Sequence, residues 1–219
     1  MSSVSTVVTV IRHLPRVVSE EPGRPTRGSD DHPMRKVARQ VAFEPSGWTG
    51  ERKAKVENLF DDLAPEWHTR DHPYRTQPLI DAFERGGPIT PGVCLELGSG
   101  TGIATPWLTP RFAVVMAAEL SANMIELAPE AGSRVRADGS CLPLRDHCVD
   151  AAVLVNMFLF PAELDRVLAP DGALVWVNTS GDMTPIYLPA DEVDAALPGE
   201  WDGVAAEAGW GTWAVLRRA

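Results

Sequence analysis

From residue 93 to the C-terminus, apolar positions repeat one arrangement: a short run of strand length, a break, then a stretch with helical spacing. The runs cover residues 93–97, 112–118, 135–138, 149–155 and 173–178. The 149–155 run is almost uninterrupted in apolar residues, as a central parallel strand should be. Between the runs lie helical stretches at 103–108, at 162–168, and after Ser121. Pro106 is tolerable only in the first turn of its helix. Ser121 is a capping residue, with Met124, Ile125, Leu127 and Ala128 on the inward face behind it. Strand–helix alternation of this kind predicts parallel pairing through right-handed crossovers, a doubly wound α/β sheet. After the fifth strand the pattern changes. A helix at 190–197 precedes two short strands, 203–207 and 212–217, whose four-residue link forces an antiparallel hairpin. The chain has no internal repeat.

Upstream, helical periodicity begins at Glu51, with Val56, Leu59, Phe60 and Leu63 as an apolar stripe that Pro65 ends. The segment EWHTRDHPYRTQ follows, dense in groups capable of chemistry. A second helix over 77–85 turns Leu79, Ile80 and Phe83 inward and stops at Gly86-Gly87. Residues 1–50 read differently. EEPGRPTRGSDDHP is rich in proline, glycine and charge, too polar to offset its ordering entropy, which predicts a flexible basic extension before a domain at 51–219. The preceding VSTVVTVI could pair as a strand or remain loose. Met34 is an alternative start, which mass spectrometry of the natively expressed protein would test.

Charge adds one exclusion. Residues 1–55 carry a balance of +4 and residues 56–219 a balance of −14, within a net charge of −10. An acidic main domain repels a polyphosphate, which argues against nucleic acid as a partner. No window is long and apolar enough for a membrane span, and no signal peptide is apparent, so a cytoplasmic protein is expected. Cys94, Cys141 and Cys148 fit no CxxC pattern and no disulfide framework, and no metal site is assigned.

The chemistry centres on VCLELGSGTG, residues 93–102, where a buried run carries Glu96 and breaks into glycines at 98, 100 and 102. Such a turn lets a ligand touch bare backbone. The dinucleotide spacing G-x-G-x-x-G is absent in either register, since Ile103 or Thr105 stands at its last position. No Gly-Lys-Ser/Thr follows, which excludes a Walker loop. Glu96 beside the turn would repel a pyrophosphate but could orient a cationic amine. Glu119, twenty-one residues beyond Gly98, ends the second strand, where a carboxylate can accept ribose hydroxyls. Asp138 ends the third and could accept from an exocyclic adenine amine. Together the three acids describe a ligand with an amine, a ribose and an adenine, and without phosphates.

These residues carry a family resemblance. VCLELGSGTG, VVMAAELSANMIELA, VRADGSCLPLRDHCVDAAVLVNMF and ELDRVLAPDGALVWV resemble the ordered motifs of class I S-adenosylmethionine-dependent methyltransferases. NLFDDLAPEW also resembles the N-terminal cap of the small-molecule, quinone-biosynthesis-like branch. The resemblance spans residues 60–217 and implies a seven-stranded Rossmann-like sheet of order 3-2-1-4-5-7-6, binding S-adenosyl-L-methionine. It implies that Gly98, Ser99 and Gly100 line the methionine part, with Glu119 on the ribose and Leu120 and Met124 against the adenine. Asp138 and the Gly139 backbone would read the adenine edge, with Asn156 nearby. The acceptor is then expected to be a small molecule. His68, His72, Asp71 and Tyr74 are candidates for a general base, with the first two and Tyr74 taken as the catalytic set. Asn156-Met157-Phe158-Leu159 is not an Asn/Asp-Pro-Pro-Tyr/Phe signature, which argues against adenine or glutamine N-methylation. Short links after strands four and five leave the N-terminal segment to set specificity. An S-adenosylmethionine-binding regulatory or partner protein is the alternative, supported by the short lid and a tryptophan hairpin at Trp201, Trp210 and Trp213. A nicotinamide-dependent oxidoreductase is a weaker one. The oligomeric state is left open.

Overall fold

The computed structural model describes residues 11–25 and 31–219. Its frame is one mixed sheet: β1 (Ile11–His13), β2 (Val93–Leu97), β3 (Val114–Glu119), β4 (Ser133–Arg136), β5 (Val149–Val155), β6 (Leu168–Asn178), β7 (Trp201–Ala208) and β8 (Gly211–Arg218). The order is β1-β7-β8-β6-β5-β2-β3-β4. Strands β4, β3, β2, β5 and β6 pair in parallel, and β8 runs antiparallel to both β6 and β7. This is the expected order with a correction: an eighth strand, β1, lies parallel to β7 at the edge. It covers polar groups that β7 would otherwise leave open to pairing. Most of VSTVVTVI lies outside the described residues; of it, Ile11 is described, buried and in β1.

Among the described residues, seven α-helices flank the sheet: α1 (Pro33–Phe43), α2 (Gly50–Leu63), α3 (Gln77–Arg85), α4 (Thr105–Leu108), α5 (Ala122–Leu127), α6 (Pro161–Val167) and α7 (Ala190–Ala196). Both sheet faces are apolar, so each strand alternates between two cores. On β5, Ala152 and Leu154 join Leu164, Val193 and the α1 residues Ala38 and Val41. Ala151 and Val153 point the other way, to Leu79, Leu108, Val175 and Trp213. Period-two alternation with both sides buried is what a central parallel strand requires.

Three expectations change. Residues 33–43, inside the segment expected to be flexible, form α1 and bury Ala38, Val41 and Ala42 on the sheet. Their sparse apolar positions serve one narrow contact, which composition averaged over fifty residues hides. Leu127, expected on an inward face, is 55% exposed. Helix α5 is only six residues long, and Met124 is its one buried residue. Trp201, Trp210 and Trp213 are all buried, so the terminal hairpin presents no tryptophan surface.

Candidate functional site

The strand ends β4, β3, β2 and β5 lie side by side, so the residues following them share one carboxyl edge. Beyond β2 the chain turns through Gly98, Gly100 and Gly102, whose φ angles are +74°, +55° and +76°. A Cβ at Gly98 would collide with Met157 Sδ; at Gly100 it would meet only Trp67 Nε1, at 3.8 Å. The Gly100 backbone is therefore bare toward open space. Gly98 N and Ser99 N donate to Ala118 O at 2.8 and 3.2 Å, locking the turn to β3.

Glu119 holds the turn from the other side. Its Oε2 accepts from Gly100 N at 2.9 Å, and its Oε1 accepts from Leu120 N and Ser121 N, each at 2.8 Å. Burial pushes its pKa above the ordinary value, against the lowering by these three N–H groups. Oε2 keeps a lone pair for a ligand hydroxyl. Glu96 is 3% exposed and accepts from Thr105 Oγ1 at 2.6 Å. With that single hydroxyl against burial and the nearby charge of Glu119, its pKa rises to about 7. Cys94 is buried, and desolvation raises its thiol pKa, so it stays protonated.

Asp138 and Asn156 are engaged within the protein. Asp138 Oδ1 accepts from Ser140 N, Ser140 Oγ and Trp48 Nε1, at 2.9, 2.8 and 3.0 Å, and Lys53 Nζ lies 3.4 Å from Oδ2. Burial raises its pKa, but these donors outweigh that and lower it below the ordinary value. Asn156 has φ +50°, donates to Thr179 Oγ1 and accepts from Thr179 N, both at 2.8 Å, and so ties the end of β5 to the end of β6.

A cavity of about 790 Å³ opens above this edge. Its floor includes Glu96, Gly98, Ser99, Gly100, Glu119, Leu120, Met124, Gly139 and Asn156. Asp138 is not part of the lining, although Ala137 and Gly139 on either side of it are. Helix α2 contributes Val56, Leu59, Phe60 and Leu63. The helical stripe in the sequence thus faces a chamber, which explains the 41% exposure of Leu59. The roof comes from the leader, through Pro22, Gly23, His32, Met34 and Trp48, and from the loop after β6, through Met183, Thr184 and Ile186. That loop adds to the N-terminal segment, on which the sequence led us to expect specificity largely to rest. Sequence reasoning missed His32, Trp48 and Met183, because nothing in their local pattern marks a long-range approach to the glycine turn.

The expected base candidates separate. His68 is exposed, its Nδ1 directed at Pro65 O at 3.1 Å, and it does not line the cavity; neither does Tyr74. His72 does, with its ring 4.8 Å from those of both Tyr74 and Trp210. Its Nδ1 accepts from Tyr74 N at 3.3 Å, and His32 Nδ1 accepts from Met34 N at 3.2 Å. An imidazole whose Nδ1 lone pair is engaged carries its proton on Nε2 when neutral. Both cavity histidines therefore present a donor, not a base. Asp71 also lines the cavity.

Residues 95–176, which hold the glycine turn, Glu119 and Asn156, match the family model of the methyltransferase domain. The matched segment is similar to a methyltransferase domain and spans less than half of the chain. Solved methyltransferase structures share the fold. A SAM-dependent methyltransferase from Aquifex aeolicus is 19% identical, the match covering 70% of this chain and 96% of that one at a TM-score of 0.58. DhpI in complex with SAH is 21% identical over 78% of this chain and 99% of its own, at 0.63. DhpI with SAM and HEP is 22% identical over 73% and 94%, at 0.59. No curated protein matches the chain. S-adenosyl-L-methionine is the cofactor expected from the sequence. The site fits it on its own geometry: bare backbone at Gly100, and a fixed carboxylate at Glu119 with one lone pair to spare. No helix among the described residues is long and apolar enough to cross a membrane.

Proposed function

We propose that this chain is an S-adenosylmethionine-dependent methyltransferase acting on a small, largely apolar acceptor held in the same cavity as the methyl donor. The observation that carries the reading is the continuity of that cavity, from the glycine turn to a roof of Met34, Trp48, Met183 and Ile186. At about 790 Å³ it lies toward the upper end of the roughly 300–1,000 Å³ common for small-molecule sites, leaving room for donor and acceptor together. In this reading the backbone at Gly98, Ser99 and Gly100 holds the methionine portion, with Glu96 orienting its ammonium group. Glu119 accepts the ribose hydroxyls, Leu120 and Met124 flank the base, and Gly139 lies beside it. When bound, the donor supplies a methyl group on a sulfonium that is already an activated leaving group. The chain's own task is alignment and exclusion of water, which can supply several kcal/mol of barrier reduction. His32 and His72 act as Nε2–H donors that orient an acceptor oxygen. The acceptor's nucleophilic atom then enters with a free lone pair, since neither histidine is set to remove a proton.

Incubation with methyl-labelled donor and a panel of small phenols, amines and carboxylates, beside peptide and nucleic-acid pools, tests the reading. Label is expected in the small-molecule fraction. Tight donor binding with no label transferred to any class would replace this reading with that of a cofactor-binding partner protein.

A further inference from the structure

Asp138 sits where a carboxylate could face the cofactor's base, yet its surroundings assign it elsewhere. Three donors converge on Oδ1: Ser140 N, Ser140 Oγ and the indole Nε1–H of Trp48. Oδ2 faces the Lys53 ammonium at 3.4 Å. The carboxylate is thus engaged on both oxygens, and it lies outside the cavity lining while Trp48 lies within it. The indole is clamped on its other sides as well. Its ring centroid is 5.7 Å from Phe158 at 51°, and 5.3 Å from Phe160 at 77°. Phe160 in turn packs over Gly139, where a Cβ would come within 2.7 Å of its ring. Trp48 belongs to the short loop between α1 and α2, itself anchored by Arg52, which donates to Gly47 O and to Gln40 Oε1.

We propose that Trp48 is the aromatic wall of the adenine subsite, and that Asp138 is a positioning residue that holds the indole by its N–H. The adenine amine is then not read by Asp138. This rests on the S-adenosylmethionine reading of the cavity. It has a consequence for selectivity. A buried acid that accepts from the 6-amino group loses its partner when a 6-oxo purine replaces adenine, and such sites discriminate by orders of magnitude. An aromatic wall contacts both purines alike.

Calorimetric titration with S-adenosylhomocysteine and with S-inosylhomocysteine separates the two roles. Trp48→Phe removes the N–H donor, Asp138→Ala removes the acceptor, and Asp138→Asn keeps an oxygen for the indole. Trp48→Phe and Asp138→Ala are each expected to weaken S-adenosylhomocysteine about tenfold, the loss expected for one hydrogen bond and part of a ring contact. The double variant should be no weaker than either alone. Asp138→Asn should restore affinity to within about threefold, and the adenosine-to-inosine ratio should stay unchanged in every variant. Quenching of tryptophan emission on binding should be smaller in Trp48→Phe than in the parent. The proposal is overturned if the ratio is large in the parent and collapses in Asp138→Asn, or if Trp48→Phe binds like the parent. Absence of S-adenosylhomocysteine binding to the folded parent protein would instead remove the cofactor reading beneath it.

Discussion

Glu96 and Glu119 stand on adjacent strands, both almost removed from water, yet they are stabilised unequally. Glu119 accepts three backbone N–H groups, whereas Glu96 accepts one threonine hydroxyl, and the Glu96 pKa accordingly rises to about 7. The sign of its effect on stability follows. Below the ordinary value of 4.5 both folded and unfolded chains hold the proton, and the group is neutral to folding. Between 4.5 and about 7 the unfolded chain releases the proton and the folded chain keeps it, so stability falls as pH rises. Above about 7 the full penalty is in place, on the order of 3 kcal/mol at most. Glu96→Gln should abolish this slope, giving denaturant midpoints that no longer fall between pH 5 and 7 relative to the parent. A cationic ligand beside Glu96 favours the ionised form. Donor binding at pH 6 is therefore expected to release a proton, seen as a buffer-dependent calorimetric enthalpy that Glu96→Gln loses. Gly100 offers a second test at this scale. Ala at φ +55° costs roughly 1–2 kcal/mol, and the methyl meets no close neighbour within the protein. It does project where the donor should lie. Gly100→Ala should thus fold with a modest loss of stability yet bind the donor at least about tenfold more weakly, measured by thermal unfolding and calorimetry side by side.

At the scale of elements, legibility followed how completely a segment is buried. The 149–155 strand was readable because both its faces enter a core, so no polar residue interrupts the pattern. The cap of α5 was readable because capping is local: Ser121 Oγ accepts from Met124 N at 3.1 Å. What Ser121 does besides was not. Its hydroxyl also donates to Asp61 on α2, which accepts from Asn123 N at 3.2 Å as well. Nothing in the sequence marks Asp61 for this role, since its partner is sixty residues away. Similarly, the stripe Val56, Leu59, Phe60 and Leu63 announced an apolar face without saying that it lines a chamber. The histidines were legible as candidates, but the nitrogen carrying each proton depends on a backbone N–H two residues on, which only the fold fixes. Ser121→Ala should remove both the cap and the link to α2, lowering unfolding free energy by about 1–2 kcal/mol in chemical denaturation. An Asp61→Ala variant combined with it should cost less than the sum of the two single changes, because both break the Ser121–Asp61 bond while only Asp61→Ala also breaks the bond from Asn123 N.

For the molecule as a whole, the asymmetry between a basic leader and an acidic domain has a structural outlet within the chain. Arg16 pairs with Glu207, Arg24 with Asp182, Arg39 with Glu192 and Lys53 with Asp138. Exposed pairs of this kind contribute roughly 0–1 kcal/mol each, so they orient the leader more than they hold it. The firmer ties are to backbone. Leu14 N donates to Ala205 O at 2.8 Å and Gly209 N to Val18 O at 3.1 Å, while Trp210 Nε1 donates to Glu21 O at 2.6 Å. The leader therefore runs along the terminal hairpin and delivers Pro22 and Gly23 to the cavity roof. Composition could not show this, because a segment held by backbone bonds and one tryptophan needs few apolar residues of its own. A chain starting at Met34 would lose β1, these ties and the roof residues Pro22, Gly23 and His32, while keeping the glycine turn, Glu96, Glu119 and Trp48. It should unfold at lower denaturant, by on the order of 2–4 kcal/mol, and associate more readily through the uncovered β7 edge. Its affinity for S-adenosylhomocysteine should stay within about threefold of the parent, whereas turnover on any accepted substrate should fall at least about tenfold through a raised KM. Unchanged turnover in the shortened chain would show that the roof over the acceptor is built by α2 and the loop after β6 alone.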